Sequence, residues 1–86
     1  MISSMKTIHP MFDRITFDQN VMAGKACIRG KRITVNLVLN LLANKMSMDE
    51  IIVAYPYLEP EDIWQALRYA AWLSEESVYE FRPIVT

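Results

Sequence analysis

The apolar pattern of this chain changes its period at residue 34, and this change constrains the fold most strongly. Before it, short apolar runs at residues 15–17 and 26–28 are separated by turn-forming residues, and both glycines, Gly24 and Gly30, lie in this stretch. Glycine favours tight turns because it tolerates positive φ. The pattern therefore predicts a short β-strand arm or hairpin over residues 13–34.

After residue 34 the apolar residues repeat at helical spacing. Val35, Val38 and Leu42 lie three, four or seven residues apart, which places them on one helix face. Thr34 is suited to cap the start of this helix. Asn44 tolerates the left-handed conformation in which many helices end. The sequence therefore predicts a first helix between these two residues.

Two further helices are predicted from capping residues and prolines. Residues 47–50 read S-x-x-E, a capping box, so a second helix begins there and ends before Pro56. Pro60 suits the first position of a third helix, and Glu61 and Asp62 favour the positive end of its dipole. The second helix is short, and a brief connection separates it from the third.

These segments combine into a single domain of 86 residues. We expect a loose lead-in at residues 1–12, the β-arm at residues 13–34, a helical core at residues 35–77 and a tail at residues 78–86. The order of elements predicts a mainly α fold of the three-helix, helix-turn-helix class. A generic helical bundle has the same helix order, and spacing alone does not separate the two.

Charge is distributed unevenly although the net charge is only −1. Residues 1–46 contain seven basic and two acidic side chains, whereas residues 47–86 contain two basic and eight acidic ones. The arm concentrates four of the basic residues, which are candidates for binding nucleic-acid phosphates: Lys25, Arg29, Lys31 and Arg32. The alternative is a solvated hairpin tip without a ligand. DNA is therefore a possible partner.

The third helix is apolar nearly all round, because Trp64 and Trp72 extend well beyond its core stripe. A helix without a polar face is buried on several sides, and in so short a chain this implies a second polypeptide, with a homodimer expected. Tryptophan, tyrosine and arginine dominate interface energetics. The predicted interface residues are Trp64, Arg68 and Trp72, with Tyr79, Phe81 and Arg82 from the acidic, aromatic tail. Alternatively, both tryptophans close the core of a monomer and the tail packs back as an edge strand.

Residues for catalysis are scarce, so the sequence predicts a binding protein and not an enzyme. His9 and Cys27 are the only histidine and cysteine, which is too few for a zinc site, and no cofactor motif is found. We expect His9 to be a solvated side chain in the lead-in. Cys27 lies in an apolar run and is expected to be a small buried hydrophobe. Catalytic, cofactor and metal sites are all predicted to be absent.

The chain is expected to be cytoplasmic. A lone cysteine excludes an intramolecular disulfide and suits a reducing compartment. No run approaches the length of about 18 apolar residues that marks a membrane span, and no secretory signal is recognisable. We therefore expect no membrane partner.

Three segments resemble the domain-of-unknown-function family 433. Residues 24–33, GKACIRGKRI, resemble that family's GKPCIRGTRI; residues 41–47, LLANKMS, resemble LLANGMS; and residues 55–63, YPYLEPEDI, resemble YPYLTPEDI. The resemblance covers residues 13–71 in order and with correct spacing. The departures include Ala26 for a proline, Lys45 for a helix-ending glycine and Glu59 for the threonine cap of the third helix.

The resemblance implies a homeodomain-like helical domain with a β-strand arm. Members of this family often lie beside a PIN-like ribonuclease and are regarded as VapB-type antitoxins, while others have no assigned role. It therefore implies an antitoxin that neutralises a PIN-like ribonuclease toxin by covering its site and that represses its own promoter as a dimer. The alternatives are a DNA-binding transcriptional regulator acting as a dimer and an oligomerisation module without either activity.

Overall fold

The computed structural model describes residues 6–78, with side chains described for residues 6–75. Three short strands precede three helices, with a tight turn at Met22–Gly24 between the second and third strands, in which all three residues have positive φ. The elements are β1 (Thr7–Ile8), β2 (Ile15–Phe17), β3 (Cys27–Ile28), α1 (Val35–Ala43), α2 (Met48–Ala54) and α3 (Pro60–Val78). The predicted mainly α fold with a short β-strand arm is confirmed.

The arm is a three-stranded antiparallel sheet with the strand order β1-β2-β3. Thr7 pairs with Phe17, and Ile15 pairs with Ile28. The predicted loose lead-in is wrong at residues 7–9, because β1 pairs with β2 and the His9 N–H donates to the Ile15 carbonyl at 2.9 Å. Residues 1–5 of the predicted lead-in lie outside the described residues.

The chain leaves β3 through a tight turn at Arg29 and Gly30. Both residues have positive φ, 46° and 71°, and the Lys31 N–H donates to the Ile28 carbonyl at 2.8 Å. Positive φ at both central positions is the pattern of the type I′ turn that closes antiparallel hairpins. Because the turn sits at the end of the sheet, it directs the Arg29 side chain toward the helices.

Helix α1 begins as predicted, with the Thr34 hydroxyl accepting a hydrogen bond from the Leu37 N–H. Its predicted end before Asn44 is confirmed, but the left-handed residue that follows the helix is Lys45 and not Asn44. Asn44 has φ −91°, whereas Lys45 adopts the left-handed conformation with φ 74°. Lys45 is the position at which the resembled family has glycine, so the family motif marks the left-handed residue better than the capping preference of asparagine.

Helices α2 and α3 both begin at side-chain caps. The predicted capping box of α2 is confirmed, since Ser47 accepts from the Glu50 N–H and the Glu50 carboxylate accepts from the Ser47 N–H. Pro60 is the first residue of α3, as predicted. Before it, the Glu59 N–H donates to the Asp62 carboxylate at 2.8 Å. Asp62, the third residue of α3, is therefore the side chain that caps the start of this helix.

The core lies where the arm meets the three helices. Each pair among α1, α2 and α3 is in contact, and β2 and β3 supply the apolar residues of the arm. The buried apolar side chains are Ile15, Ile28, Ile33, Val35, Val38, Ile51, Leu58, Ile63 and Ala66. The predicted tail at residues 78–86 lies outside the described residues except for Val78, the last residue of α3.

Candidate protein-binding and nucleic-acid-binding surfaces

A fully buried carboxylate, Asp62, joins the arm to α3. Its Oδ1 atom accepts hydrogen bonds from Arg14 Nη1 and Arg29 Nε, both at 2.9 Å. Its Oδ2 atom accepts from Arg29 Nη2 and the Glu59 N–H, both at 2.8 Å. Both carboxylate oxygens are therefore satisfied, as a buried charge requires.

The backbone of the arm brings the two arginines to this carboxylate. The Arg29 N–H donates to the Arg14 carbonyl at 2.8 Å, so the two residues are locked side by side. Gln65, one turn along α3 from Asp62, accepts from the Arg14 N–H at 2.9 Å and donates to Asp13 at 2.8 Å. The first turns of α3 therefore hold the arm by both ion pairs and neutral hydrogen bonds.

The electrostatics of this junction favour the charged forms of all three groups. Burial alone would raise the pKa of Asp62, but the hydrogen bonds from Arg29, the Glu59 N–H and Arg14 outweigh it and lower that pKa below its ordinary value. Hydrogen bonds to Glu59 and Asp62 raise the pKa of Arg14, and the bond to Asp62 raises that of Arg29. The junction is therefore an ion-paired connection at neutral pH.

The four predicted phosphate-binding residues do not form one cluster. Arg29 is committed to Asp62 and also donates to the Tyr57 carbonyl at 2.7 Å. Lys31 and Arg32 border a groove with Tyr57, and the Lys31 Nζ atom lies 5.8 Å from the centre of that ring. Lys25 borders a separate groove between the arm and helices α1 and α3. Among the side chains described, those of residues 6–75, no carboxylate lies within ion-pair distance of these three.

The predicted interface residues of α3 lie on its outer face. Trp64, Arg68 and Trp72 are four residues apart and form one stripe, away from the buried side chains of Ile63 and Ala66. The side chains of Trp64 and Trp72 are 51% and 37% exposed. The alternative in which both tryptophans close the monomer core is therefore wrong for Trp64, whereas one side of the Trp72 ring packs within the monomer. Tyr79, Phe81 and Arg82, the predicted tail residues of the interface, lie outside the described residues.

A family model described as a protein of unknown function, DUF433, matches residues 15–70, which is more than half of the chain. The chain belongs to the DUF433 family. The matched region contains β2, β3, the turn that carries Arg29 and the start of α3, so Asp62 and Arg29 lie inside this DUF433 domain, and Arg14 immediately precedes it. Comparison with curated proteins and with solved structures gives no match for this chain.

His9 is buried, so the interpretation of it as a solvated side chain is wrong. Its ring lies 5.0 Å from Phe12, 5.4 Å from Tyr69 and 5.1 Å from Trp72, and its Nδ1 atom accepts a hydrogen bond from the Met11 N–H at 3.0 Å. Pairing of β1 with β2 places it there. This aromatic cluster packs His9 and Phe12, which precede the DUF433 match, against the C-terminal half of α3.

The roles of Asp62 and Arg14 also escaped the sequence analysis. Asp62 was explained by the helix dipole, which accounts for an exposed acid at that position but not for a buried one. One signal in the sequence could have indicated this role. No threonine or serine precedes Pro60 to cap α3, so another side chain has to accept a hydrogen bond at the start of this helix. Nothing local indicates that Arg14 and Arg29 come to the same carboxylate, because they lie 48 and 33 residues away from it.

Cys27 is buried, as predicted, and burial raises the pKa of its thiol. A thiol of that kind is a packing group and not a nucleophile at neutral pH. Among residues 6–75, no three His, Cys, Asp or Glu side chains come together in a way that could hold a metal ion. None of the helices in this part of the chain combines the length and the apolar character that a bilayer crossing requires.

Proposed function

We propose that this chain is a cytoplasmic, protein-binding antitoxin that neutralises a PIN-like ribonuclease, and that it is not an enzyme. The observation that carries the proposal is the indole of Trp64, 51% exposed on the outer face of α3. No other aromatic ring among the described residues packs against it. An exposed tryptophan on a helix face suits a contact with another protein, because tryptophan is enriched among the residues that dominate interface energetics.

The nature of the partner rests on the family. The DUF433 resemblance implies genes that lie beside PIN-like ribonucleases. Such an antitoxin acts by covering the nuclease site, for which the outer face of α3 supplies an anchor in Trp64. Arg82, in the tail beyond the described residues, would pair with the acidic side chains that bind metal in the nuclease, since guanidinium groups pair well with carboxylates.

We also propose the helix-turn-helix, homeodomain-like arrangement for the three helices. It is supported by the contacts between every pair of helices and by the short connection of residues 55–59 between α2 and α3. In this arrangement α3 is the helix that would face DNA. Its first turn carries Glu61, which would oppose a polyanion, and this favours protein over DNA as the partner of α3.

The test is inhibition of a PIN-like ribonuclease whose gene lies beside that of this chain, as the proposal requires. The purified full chain is mixed with that ribonuclease, and cleavage of an RNA substrate is measured together with complex formation on a sizing column. We expect loss of cleavage and a stable complex for the unmodified chain. Unchanged cleavage without a complex would contradict the proposal.

A matched pair of variants tests whether the surface around Trp64 contacts the ribonuclease. Trp64→Ala removes the exposed indole of α3, and Tyr57→Ala removes an aromatic ring of nearly equal exposure, 52%, from the connection before α3. Interface anchors typically contribute about 2 kcal/mol or more to binding. We expect Trp64→Ala to lose inhibition and Tyr57→Ala to retain it. Equal inhibition by both variants would remove Trp64 from the interface.

A second candidate function, DNA binding by a dimeric transcriptional regulator, is favoured by one observation. Lys31 and Arg32 border the groove beside Tyr57, and no carboxylate of residues 6–75 lies within ion-pair distance of either. Promoter DNA would then bind with strong salt dependence, because each phosphate contact releases counterions. The Lys31→Ala and Arg32→Ala variants should weaken binding, whereas Lys45→Ala, an exposed lysine after α1, should not. No binding at low salt would exclude this function.

A further inference from the structure

The C-terminal half of α3 borders an open groove on the outside of the molecule. Its lining residues are Phe12, Arg68, Ala71, Trp72, Ser74 and Glu75. One side of the Trp72 indole packs against His9 and Phe12, at ring distances of 5.1 and 6.2 Å, while 37% of the side chain stays exposed. The groove therefore has a fixed aromatic wall and an apolar floor that nothing in the described residues covers.

Two charged residues of opposite sign lie in this groove on the same side of α3. Arg68 and Glu75 are seven residues apart, almost two full turns, so they share one face at a separation of about 10 Å along the axis. Arg68 donates through one terminal nitrogen to Glu61 at 2.9 Å. A guanidinium has five N–H donors, so Arg68 retains the capacity to bind a second carboxylate. Among the described residues Glu75 is in no ion pair.

We propose that this groove is the interface of a two-fold symmetric homodimer in which the α3 helices of two copies pack antiparallel. A two-fold interface uses the same surface on both copies, so that surface must complement itself. A positive and a negative residue on either side of the axis meet this condition, because Arg68 of each copy faces Glu75 of the other. A parallel arrangement would instead place like charges together.

The residues between the two charges suit close packing of helices. Ala71 has a small side chain, which lets the helix axes approach to about 8–10 Å. Trp72 of each copy covers the neighbouring indole and the apolar floor of the groove. The dimer therefore has an apolar centre between two ion pairs. It involves only copies of this chain, so it does not depend on the proposed inhibition of a nuclease.

Charge reversal tests the pairing directly in the full chain. Sedimentation velocity at about 100 μM detects weak as well as tight dimers. We expect a dimer for the unmodified chain. Arg68→Glu and Glu75→Arg should each raise the dissociation constant by about tenfold or more, because each variant opposes like charges at both ion pairs. Asp49→Arg, a reversal on the exposed start of α2, should leave the dimer unchanged.

Mixing the two weakened variants is the decisive step. A heterodimer of Arg68→Glu with Glu75→Arg restores an Arg–Glu contact at both positions, so the equimolar mixture should sediment as a dimer again. The double variant R68E/E75R should also dimerise. Far-UV circular dichroism checks that every variant is folded. A monomeric unmodified chain, a dimer insensitive to both reversals, or a mixture that stays monomeric would each overturn the proposal.

Discussion

The inner and outer faces of α3 have opposite chemistry. On the inner face Asp62 is fully buried and accepts four hydrogen bonds, three of them from arginine side chains of the arm. On the outer face Trp64 and Trp72 remain 51% and 37% exposed. The usual distribution places charge outside and aromatic rings inside. Its reversal on one helix indicates that the inner face fixes the position of the arm, while the outer face is available for a second polypeptide.

A buried ion pair is suited to fixing the position of the arm on α3. Replacing such a pair with apolar groups is often neutral for stability, but the pair accepts one geometry only. Here the geometry includes backbone strain, since Arg29 has a positive φ of 46°. The contacts of its guanidinium with Asp62 and the Tyr57 carbonyl offset that strain. We infer that the junction specifies how the sheet docks on the helices.

The largest effect is expected from Asp62→Asn. This change leaves Arg14 and Arg29 without their common carboxylate, and breaking a buried ion pair typically costs about 3 kcal/mol or more. The unfolding free energy, measured by urea denaturation, should fall by that amount. Asp49→Asn, an exposed residue in the first turn of α2, is the matched control and should change stability by less than about 0.5 kcal/mol. Equal losses of unfolding free energy for the two variants would show that the buried carboxylate contributes no more to stability than the exposed one.

Arg29 and Arg32 provide a second comparison within the arm. Arg29→Ala removes the hydrogen bonds to Asp62 and Tyr57, and bonds to a charged group contribute about 2 kcal/mol. Arg32→Ala removes an exposed side chain and should change stability by less than about 0.5 kcal/mol. Urea denaturation separates the two roles. If Arg32→Ala proves as destabilising as Arg29→Ala, the assignment of a structural role to Arg29 and not to Arg32 is wrong.

Acidification should destabilise the ion-paired junction at Asp62 on the inner face of α3. Because the folded protein holds the pKa of Asp62 below its ordinary value of about 3.9, the junction contributes its full stability above that pH and loses it as the pH falls through the lowered pKa. The unfolding free energy should therefore decline on acidification in this range. Asp62→Asn should show a weaker decline, whereas Asp49→Asn should retain the decline of the unmodified chain. Identical pH profiles for all three proteins would contradict this assignment.

Local signals in the sequence were sufficient to predict the starts of all three helices and much of the arm. Thr34, the S-x-x-E box at residues 47–50 and Pro60 act within one turn, so a single segment contains the whole signal. Burial of Cys27 followed from its apolar neighbours. The exposed residues of α3 were identified because that helix has more aromatic surface than one core stripe needs.

The parts that escaped prediction depend on contacts between distant residues. Arg29 was assigned to phosphate binding because its local neighbours are basic, and its true partner lies 33 residues away. His9 was placed in solvent because nothing in its segment predicts that β1 pairs with β2. In both cases the environment of the side chain depends on a contact with residues that are distant in sequence. The local sequence pattern does not indicate that contact.

Lys45 gives a smaller and purely local effect, away from both faces of α3. A non-glycine residue with φ 74° is strained, so Lys45→Gly should stabilise the chain by about 0.5–1 kcal/mol despite the greater freedom of glycine in the unfolded state. Lys45→Ala keeps the strain and should give no such gain. The melting temperature and urea midpoint report both variants. A loss of stability in Lys45→Gly would show that the lysine side chain outweighs the backbone strain.

The measurement that tests the separation of the two faces most directly is the affinity of Trp64→Ala for the proposed partner, a PIN-like ribonuclease, taken together with the unfolding free energy of this variant. Titration calorimetry should show a dissociation constant raised by about thirtyfold, the equivalent of about 2 kcal/mol. Its unfolding free energy should fall by no more than that of Tyr57→Ala. Unchanged affinity, or a loss of stability as large as that of Asp62→Asn, would contradict the account.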